Sequence, residues 1–330
     1  MSGDLLVDGF GRRHRDLRVS VTDRCPLRCV YCVPASGAPL MPSAHLLSAD
    51  EIVRVVRVAV RMGVTRVRLT GGEPLLRPDV VEIVAGIAAL PDAPRLSMTT
   101  SGVGLDRLAG RLAEAGLERV NVSLDTVDPA RYRQVTRRGC LDQVLDGLSA
   151  ARAAGLRPIK LNAVLVRGLN DADAVPLLDF ALGHGYELRF IEQMPLDGGR
   201  VWRRESMVTA DEILDRLGQT WTLTPVPERG PAPAARWLVD GGPGTVGIVA
   251  AVTAPFCGAC ERLRLTADGQ VRSCLFSTVE HDLRGMLRRG ATDAALVRAL
   301  LGCVRAKPSG HEIDAPGFVQ PARQMSAIGG

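Results

Sequence analysis

The chain has few aromatic residues, little net charge and no long apolar segment. Phe, Trp and Tyr make up 4% of its 330 residues, and 41 basic against 36 acidic residues leave a net charge of +5. Such a small excess does not by itself predict binding to nucleic acid. No apolar run approaches the roughly 18 residues of a membrane-spanning helix, and the N-terminus lacks the basic region of a signal peptide. We therefore expect a cytoplasmic protein that binds neither nucleic acid nor membrane.

Lysine is nearly absent. Lys160 and Lys307 are the only two lysines, so the other 39 of the 41 basic side chains are arginines. Lys160 falls in a predicted β-strand, where a buried charge is costly unless it is paired. Arg18 and Arg68 lie in other predicted strands. Cations inside several strands indicate an anionic ligand within the fold.

The first two thirds of the chain alternate between short β-type segments and helical ones. This alternation predicts an α/β fold whose parallel strands are joined by right-handed crossovers. Six such units suit a partial barrel or an open doubly wound sheet, and both place the chemistry at the C-terminal ends of the strands. Ser48 with Glu51 forms a capping box and Gly63 a stop signal, which bound one helix to 48–62. The predicted strands are 17–22, 64–70, 94–99, 118–124, 158–166 and 186–192, and the other predicted helices are 78–90, 104–115, 140–154 and 171–184.

A change in composition near residue 220 predicts a second, smaller domain. Residues 224–236 are rich in proline and are predicted to form a loop. Gly242, Gly244 and Gly247 match a dinucleotide-binding pattern, but no helix is predicted after them, so we interpret them as a hairpin turn. The predicted elements are strands at 235–239, 245–253, 262–266 and 270–275 and helices at 281–289 and 292–303.

Six of the eight cysteines form two triplets. In a reducing compartment such cysteines are metal ligands or reactive thiols rather than disulfides. A structural zinc site needs four ligands, and a [4Fe–4S] cluster that only carries electrons needs four thiolates. Three thiolates leave one iron free for another ligand, so each triplet predicts a cluster with an open position. The first triplet is Cys25, Cys29 and Cys32, and the second is Cys257, Cys260 and Cys274.

Other interpretations of the cysteines stay open at this point. A zinc-stabilised interaction module is the non-enzymatic alternative, although it leaves the cations in the strands without a purpose. Cys140 and Cys303 have no partners in either triplet, and we expect them to be ordinary half-buried thiols.

The cysteine and glycine motifs resemble those of the radical S-adenosylmethionine (SAM) superfamily. The first triplet follows the first strand and has Tyr31 before its last cysteine, and TGGEP at 70–74 follows the second strand. Segments 8–34, 68–77 and 257–276, with the final Gly329-Gly330, more closely resemble the GTP 3′,8-cyclase (MoaA) family of molybdenum cofactor biosynthesis. This resemblance covers almost the whole chain.

The resemblance implies a fold and two sets of ligand contacts. It implies a partial (β/α)6 barrel of the TIM type over residues 1–222 and a smaller α+β domain over 223–330 that closes the barrel mouth. Each triplet would hold one [4Fe–4S] cluster, the first binding SAM and the second the purine of GTP. The implied SAM contacts are Tyr31, Gly72, Ser123 and Met194. The implied GTP contacts are Arg18, Arg68, Thr99, Lys160, Arg262 and Arg264.

The implied reaction is radical rather than acid–base, so no catalytic side chain is assigned. A 5′-deoxyadenosyl radical removes the 3′ hydrogen of GTP, and attack on C8 gives (8S)-3′,8-cyclo-7,8-dihydroguanosine 5′-triphosphate, the first step towards molybdopterin. The implied partners are an electron donor, a downstream cyclic pyranopterin monophosphate synthase and a second copy of the chain in a homodimer. Another radical SAM enzyme with an auxiliary cluster, such as a peptide-modifying maturase, is the alternative enzyme class.

Overall fold

Six parallel strands lie side by side in sequence order and form a partial barrel. The structure is a computed structural model that describes residues 4–227 and 229–329. The strands are β1 (Asp16–Ser20), β2 (Arg66–Thr70), β3 (Arg95–Thr100), β4 (Arg119–Ser123), β5 (Lys160–Val164) and β6 (Glu187–Ile191). The helices are α1 (Ala49–Arg61), α2 (Val80–Ala88), α3 (Leu105–Glu114), α4 (Pro129–Thr136), α5 (Leu141–Ala153), α6 (Ala174–His184) and α7 (Ala210–Gly218). The predicted α/β fold and all six predicted strands are confirmed.

Side chains alternate along the strands between an apolar face and a polar one. In β1, Leu17 and Val19 are 1% and 0% exposed and belong to the main hydrophobic core, whereas Arg18 lies on the other face. Arg18 is in register with Arg68 of β2, which therefore lies on the same face. The apolar face packs against the helices, and the polar face lines the inside of the barrel.

Two of these seven helices, α4 and α7, were absent from the sequence prediction, although both carry start signals. The N-cap Asp128 of α4 accepts a hydrogen bond from the Arg131 amide, and Thr209 with Glu212 forms a capping box at α7. The same device begins α1, where Ser48 Oγ accepts from the Glu51 amide at 3.1 Å. Both missed helices are short, at eight and nine residues, so little periodicity marks them.

The C-terminal region extends the sheet at both of its edges. Its strands are β7 (Leu223–Val226), β8 (Ala235–Val239), β9 (Thr245–Val249), β10 (Arg262–Leu265), β11 (Gln270–Arg272) and β12 (His281–Asp282). β9 pairs with β6 and β10 pairs with β1, both in parallel. The remaining helices are α8 (Leu283–Arg288), α9 (Asp293–Arg305) and α10 (Met325–Ile328). One 12-stranded sheet therefore crosses residue 222, and the division into two domains there stays a prediction.

The prediction of a loop over 224–236 is wrong at its start. Residues 223–226 form β7, which pairs with β8 at the edge of the sheet. Pro225 is tolerated there because an edge strand need not donate every amide. Gly242 and Gly244 lie between the antiparallel strands β8 and β9, as expected of a hairpin turn, but the prediction is wrong for Gly247, which lies within β9 and pairs with Arg236. None of the helices in the described residues is long and apolar enough to cross a membrane.

Candidate active site

One cavity at the C-terminal ends of the barrel strands brings together almost every residue that the sequence singled out. Both cysteine triplets line it, although more than 220 residues separate them along the chain. The predicted SAM and GTP contacts that line it are Arg18, Tyr31, Arg68, Gly72, Thr99, Ser123, Met194, Arg262 and Arg264. Lys160 is not among the lining residues.

The first triplet lies on a tight loop directly after β1. The amides of Cys32 and Val33 both donate to the carbonyl of Cys29, at 2.9 and 3.0 Å. The Tyr31 hydroxyl donates to Asp125 Oδ2 at 2.7 Å, and Asp125 Oδ1 accepts from the Val164 amide at 2.8 Å. The cysteine loop is therefore tied to the ends of β4 and β5.

The glycine-rich turn after β2 packs directly on that loop. The Gly72 amide donates to the Thr22 carbonyl at 2.8 Å. A Cβ atom at Gly72 would lie 2.3 Å from the carbonyl oxygen of Arg24, so no larger residue fits without moving the backbone. Glu73 is fully buried and accepts from the Thr100 hydroxyl at 2.7 Å and from the Ser101 amide at 2.6 Å. These contacts hold the backbone of Gly71 and Gly72, which carries no side chains, beside the first triplet.

The thiols of the first triplet lie in an environment that disfavours ionisation. Burial raises the pKa of Cys25 to about 12 and that of Cys32 to about 11, and it also raises the pKa of Cys29. The neighbouring carboxyl group of Asp125 acts in the same direction on Cys29 and Cys32. These thiols are expected to become thiolates only when they bind metal.

The second triplet has the opposite electrostatic environment. Burial acts to raise the pKa of the Cys260 thiol, but Arg262 and Lys307 outweigh it and lower that pKa to about 6. The Lys307 ammonium lies 3.5 Å from Cys260 Sγ. Cys260 is therefore far easier to ionise than the three thiols of the first triplet.

Both triplets fit iron–sulfur clusters better than single metal ions. Within residues 4–227 and 229–329, no three His, Cys, Asp or Glu side chains are grouped so that they could hold one metal ion. A tetrahedral zinc would need each thiolate at about 2.3 Å from the same atom. A [4Fe–4S] cluster is larger and is bound through thiolates on its separate irons, which suits cysteines that are held apart.

Five arginine side chains give the cavity a strong positive charge. Burial lowers the pKa values of Arg18, Arg68, Arg189 and Arg264, and for Arg18 to about 10. Arg18 Nε has no hydrogen-bond partner, and Arg68 Nε donates to the uncharged Ser97 hydroxyl at 3.3 Å. Arg189 lies 3.9 Å from the Glu187 carboxylate, but Arg18, Arg68 and Arg264 have no ion pair among the described residues. Buried cations without ion pairs are costly, so this arrangement favours an anionic ligand. The five are Arg18, Arg68, Arg189, Arg262 and Arg264.

Lys160 lies on the same strand as a cavity residue but does not itself line the cavity. Its ammonium forms an ion pair with Glu187 of β6, and burial lowers its pKa to about 8. Asn162, two residues further along β5, lines the cavity and has an unpartnered Oδ1. Lys160 therefore lies one inward position below the cavity lining, with its charge already compensated.

The C-terminal tail enters the barrel. The Gly329 carbonyl accepts a hydrogen bond from Arg264 Nη1 at 2.5 Å. With φ at +88°, Gly329 packs so closely that a Cβ would lie 2.9 Å from Ser20 Cβ and Thr70 Cγ2. Gly330, the other residue of the predicted Gly-Gly tail, lies outside the described residues.

Sequence reasoning missed some cavity residues that the fold makes obvious. Arg189 lines the cavity beside Asn162, its register partner on β5. It lies two positions after Glu187, so the alternation that singled out Arg18 could have found it as well. Asp125 was missed because its role depends on Tyr31, which is 94 positions away.

Two family models match successive parts of the chain. Residues 19–181 match the Radical SAM superfamily, and residues 186–313 match Molybdenum Cofactor Synthesis C. The chain is 56% identical to a GTP 3′,8-cyclase of Mycobacterium marinum, over 98% of this chain and 92% of the relative. It is 55% identical to a GTP 3′,8-cyclase of Streptomyces coelicolor, over 99% and 96%.

Solved structures show the same fold at low identity. SuiB of Streptococcus suis bound to its precursor peptide SuiA matches with a TM-score of 0.61 at 14% identity, over 93% of this chain and 68% of that chain. The same protein bound to S-adenosylmethionine matches with a TM-score of 0.58 at 13% identity, over 88% and 68%. At this identity the likeness concerns the fold alone.

The close packing of Gly329 predicts a test of the tail's position. Gly329→Ala should expel residues 324–329 from the barrel, because its new methyl group has no room, and hydrogen–deuterium exchange of that segment should rise. Gly317→Ala is the matched control, since Gly317 also has positive φ, +92°, but no atom lies within 4 Å of its added Cβ. Unchanged exchange in Gly329→Ala would show that the tail is not held in this cavity.

Proposed function

The chain belongs to the GTP 3′,8-cyclase family of the radical SAM superfamily, and we propose that its cavity binds SAM beside the first triplet and GTP among the arginines. The single observation that carries this assignment is that two three-cysteine sets and five arginines line one cavity. Each set leaves a coordination position for a ligand, and the arginines suit the anionic part of that ligand.

The enzyme is a lyase that joins C3′ to C8 of GTP, and its cofactors are two [4Fe–4S] clusters and SAM. The first triplet would hold the cluster that binds SAM, and the second triplet would hold the auxiliary cluster. SAM supplies, after one-electron reduction, the radical that removes the 3′ hydrogen of GTP. The protein's own residues bind both substrates, orient them and exclude water.

The SAM end of the cavity is built from backbone and small polar groups. The missing side chain of Gly72 lets its backbone pack against the Arg24 carbonyl, which brings the turn beside the first triplet, where the amino-acid part of SAM would bind. Tyr31, fixed by Asp125, and Met194 would bound the nucleoside part of SAM. Ser123, the last residue of β4, adds a hydroxyl at the same rim.

The GTP end is built from guanidinium groups that converge from separate strands. Arg18 and Arg264 are paired in register on neighbouring strands, and Arg68 continues the row on β2. Guanidinium groups bind phosphate oxygens through two parallel hydrogen bonds. A triphosphate would therefore compensate the charge that the described residues leave unpaired. Thr99 would add a hydroxyl contact to the nucleotide.

Lys160 would act on the phosphate subsite from one inward position below the cavity lining. Its ammonium already pairs with Glu187, so a phosphate must compete with that carboxylate. We therefore assign Lys160 a weaker role in affinity than the arginines. Gly329 would support the same subsite from the other side, because its carbonyl fixes the guanidinium of Arg264.

The remaining proposals rest on the family. They are an electron donor, a downstream cyclic pyranopterin monophosphate synthase, a homodimer and two domains meeting near residue 222. A cytoplasmic location agrees with eight free cysteines, which suit a reducing compartment. A peptide-modifying role is not favoured, because the likeness to SuiB concerns the fold whereas the cyclases share 55–56% of the sequence.

The function predicts a defined product. After anaerobic reconstitution the chain should hold about eight irons, as two [4Fe–4S] clusters require. With SAM, dithionite and GTP it should then form 5′-deoxyadenosine and a cyclised nucleotide in equal amounts, measured by liquid chromatography with mass spectrometry. A Cys29→Ala variant should form neither product. A wild-type chain that cleaves SAM but leaves GTP unchanged would contradict the cyclase assignment.

The five arginines that line the cavity predict a graded loss of affinity for GTP when they are replaced. Arg189→Gln and Arg262→Gln should each weaken binding by at least about tenfold, since a hydrogen bond to a charged group contributes roughly 1.5–3 kcal/mol. Lys160→Gln should weaken it less, because Lys160 does not line the cavity and its ammonium is hydrogen-bonded to Glu187, whereas Arg189 lines the cavity and lies 3.9 Å from that carboxylate. Isothermal titration at constant iron content measures the effect, and the exposed Arg111→Gln on α3 is the control. Unchanged affinity in Arg262→Gln would remove that residue from the site.

A further inference from the structure

Lys307 is a buried cation that the assigned sites leave without a role. It is 5% exposed and lies just after α9, outside both predicted ligand sets. Its ammonium donates to the carbonyl of Arg262 at 2.8 Å and lies 3.4 Å from the carbonyl and 3.5 Å from the Sγ of Cys260. In a chain with 39 arginines and two lysines, one lysine thus contacts a cysteine of the second triplet.

An N-terminal clamp fixes the segment that carries Lys307. Arg12 donates to the carbonyls of Pro308 and Ser309 at 2.6 and 2.8 Å, and to the carbonyl of Cys257 at 2.7 Å. Asp8 accepts from Arg12 Nε at 2.6 Å, so the guanidinium is held from its other side. The same network therefore positions Lys307 and the second triplet relative to each other.

The His14 ring completes the clamp. It is 1% exposed and contacts Asp8 Oδ2 at 3.0 Å and the Arg262 carbonyl at 3.2 Å. The Arg262 carbonyl is thus contacted by both His14 and Lys307. This arrangement leaves little freedom to the backbone between Cys260 and Arg262, and so to the Cys260 thiol.

In the part of the chain that the structure describes, no cation is hydrogen-bonded to a thiol of the first triplet. The strongest charges acting on its thiols come from the carboxyl groups of Glu73, Asp125 and Asp197. The two cysteine sets therefore differ in the sign of their surroundings, although they line one cavity. Net charge and hydrogen bonds to the sulfur ligands are two of the properties that set the reduction potential of a cluster.

We propose that Lys307 is a positioning residue that raises the reduction potential of the auxiliary cluster by donating a hydrogen bond to Cys260 Sγ. Reduction adds negative charge to the cluster and its thiolates, and a fixed cation beside one sulfur stabilises the reduced form. The chain thereby gives two clusters of the same composition different potentials. This inference rests on the proposed function in one respect, namely that the second triplet holds a cluster.

The test measures the auxiliary cluster alone, in the full chain. Replacing the three cysteines of the first triplet with alanine leaves only the second triplet, and EPR-monitored redox titration then reports one midpoint potential. In this background Lys307→Met should lower the reduction equilibrium constant by about tenfold, which is about 59 mV for a one-electron couple. Lys307→Arg, which keeps a cationic donor, should restore most of the wild-type potential.

Arg305→Met is the matched control, because Arg305 is an exposed cation two residues before Lys307. It should leave the potential unchanged, and an equal shift in this variant would show that the hydrogen bond has no special role. If Lys307→Met fails to assemble its cluster, Lys307→Gln replaces it. Its neutral amide donor should give an intermediate potential, and a wild-type potential in that variant would overturn the proposal.

The outcome separates this inference from the proposed function. The titration uses neither SAM nor GTP, so it does not depend on the reaction. A background chain that binds no iron would overturn both the auxiliary cluster and the role of Lys307. A background chain with about four irons and a potential that Lys307→Met leaves unchanged would overturn the role of Lys307 alone.

Discussion

Buried arginines inside the barrel, several of them without an ion pair among the described residues, are the constraint on which the rest of the site depends. Arg18 and Arg264 are 8% and 4% exposed, and their described hydrogen-bond partners are uncharged or missing. Such groups would be expelled from an ordinary core, because desolvating a charge costs several kcal/mol without a counter-charge. The parallel strands hold these guanidinium groups in place. The fold therefore contains a site whose charge is balanced only when an anionic ligand binds. Nucleotide binding then follows from the charge as well as from the family.

The two ends of the cavity are built by different physical means. The end proposed to bind SAM depends on close approach of backbone, because Gly72 packs on the Arg24 carbonyl with no room for a side chain. The other end depends on long cationic side chains that meet from several strands. The electrostatic surroundings follow the same division, with carboxyl groups near the first triplet and Lys307 and Arg262 near Cys260. A single cavity can therefore place two similar clusters in unlike environments.

Most of the fold could be predicted from the sequence, because local signals agree with the tertiary structure. The alternation of strands and helices, the capping box at Ser48 and the hairpin glycines each rest on neighbouring residues. The prediction was wrong at β7, where Pro225 suggested a loop, because the position of a strand at a sheet edge depends on its pairing partners. Asp125 was missed for a similar reason, since its importance arises from Tyr31, which is distant in sequence, whereas Arg189 carried a local signal in the alternation of β6.

The sequence alone determined the chemistry that is available: six cysteines in two spaced triplets, a glycine turn that only glycine can form, and arginines at alternate strand positions. These are properties of residue type and spacing, and they can be recognised without knowing which residues are in contact in the fold. Only the tertiary structure decided that both triplets line one cavity, that Lys160 is paired with Glu187, and that Gly329 lies against Arg264. Such contacts join residues up to hundreds of positions apart, and they are fixed by strand register and packing rather than by any local pattern.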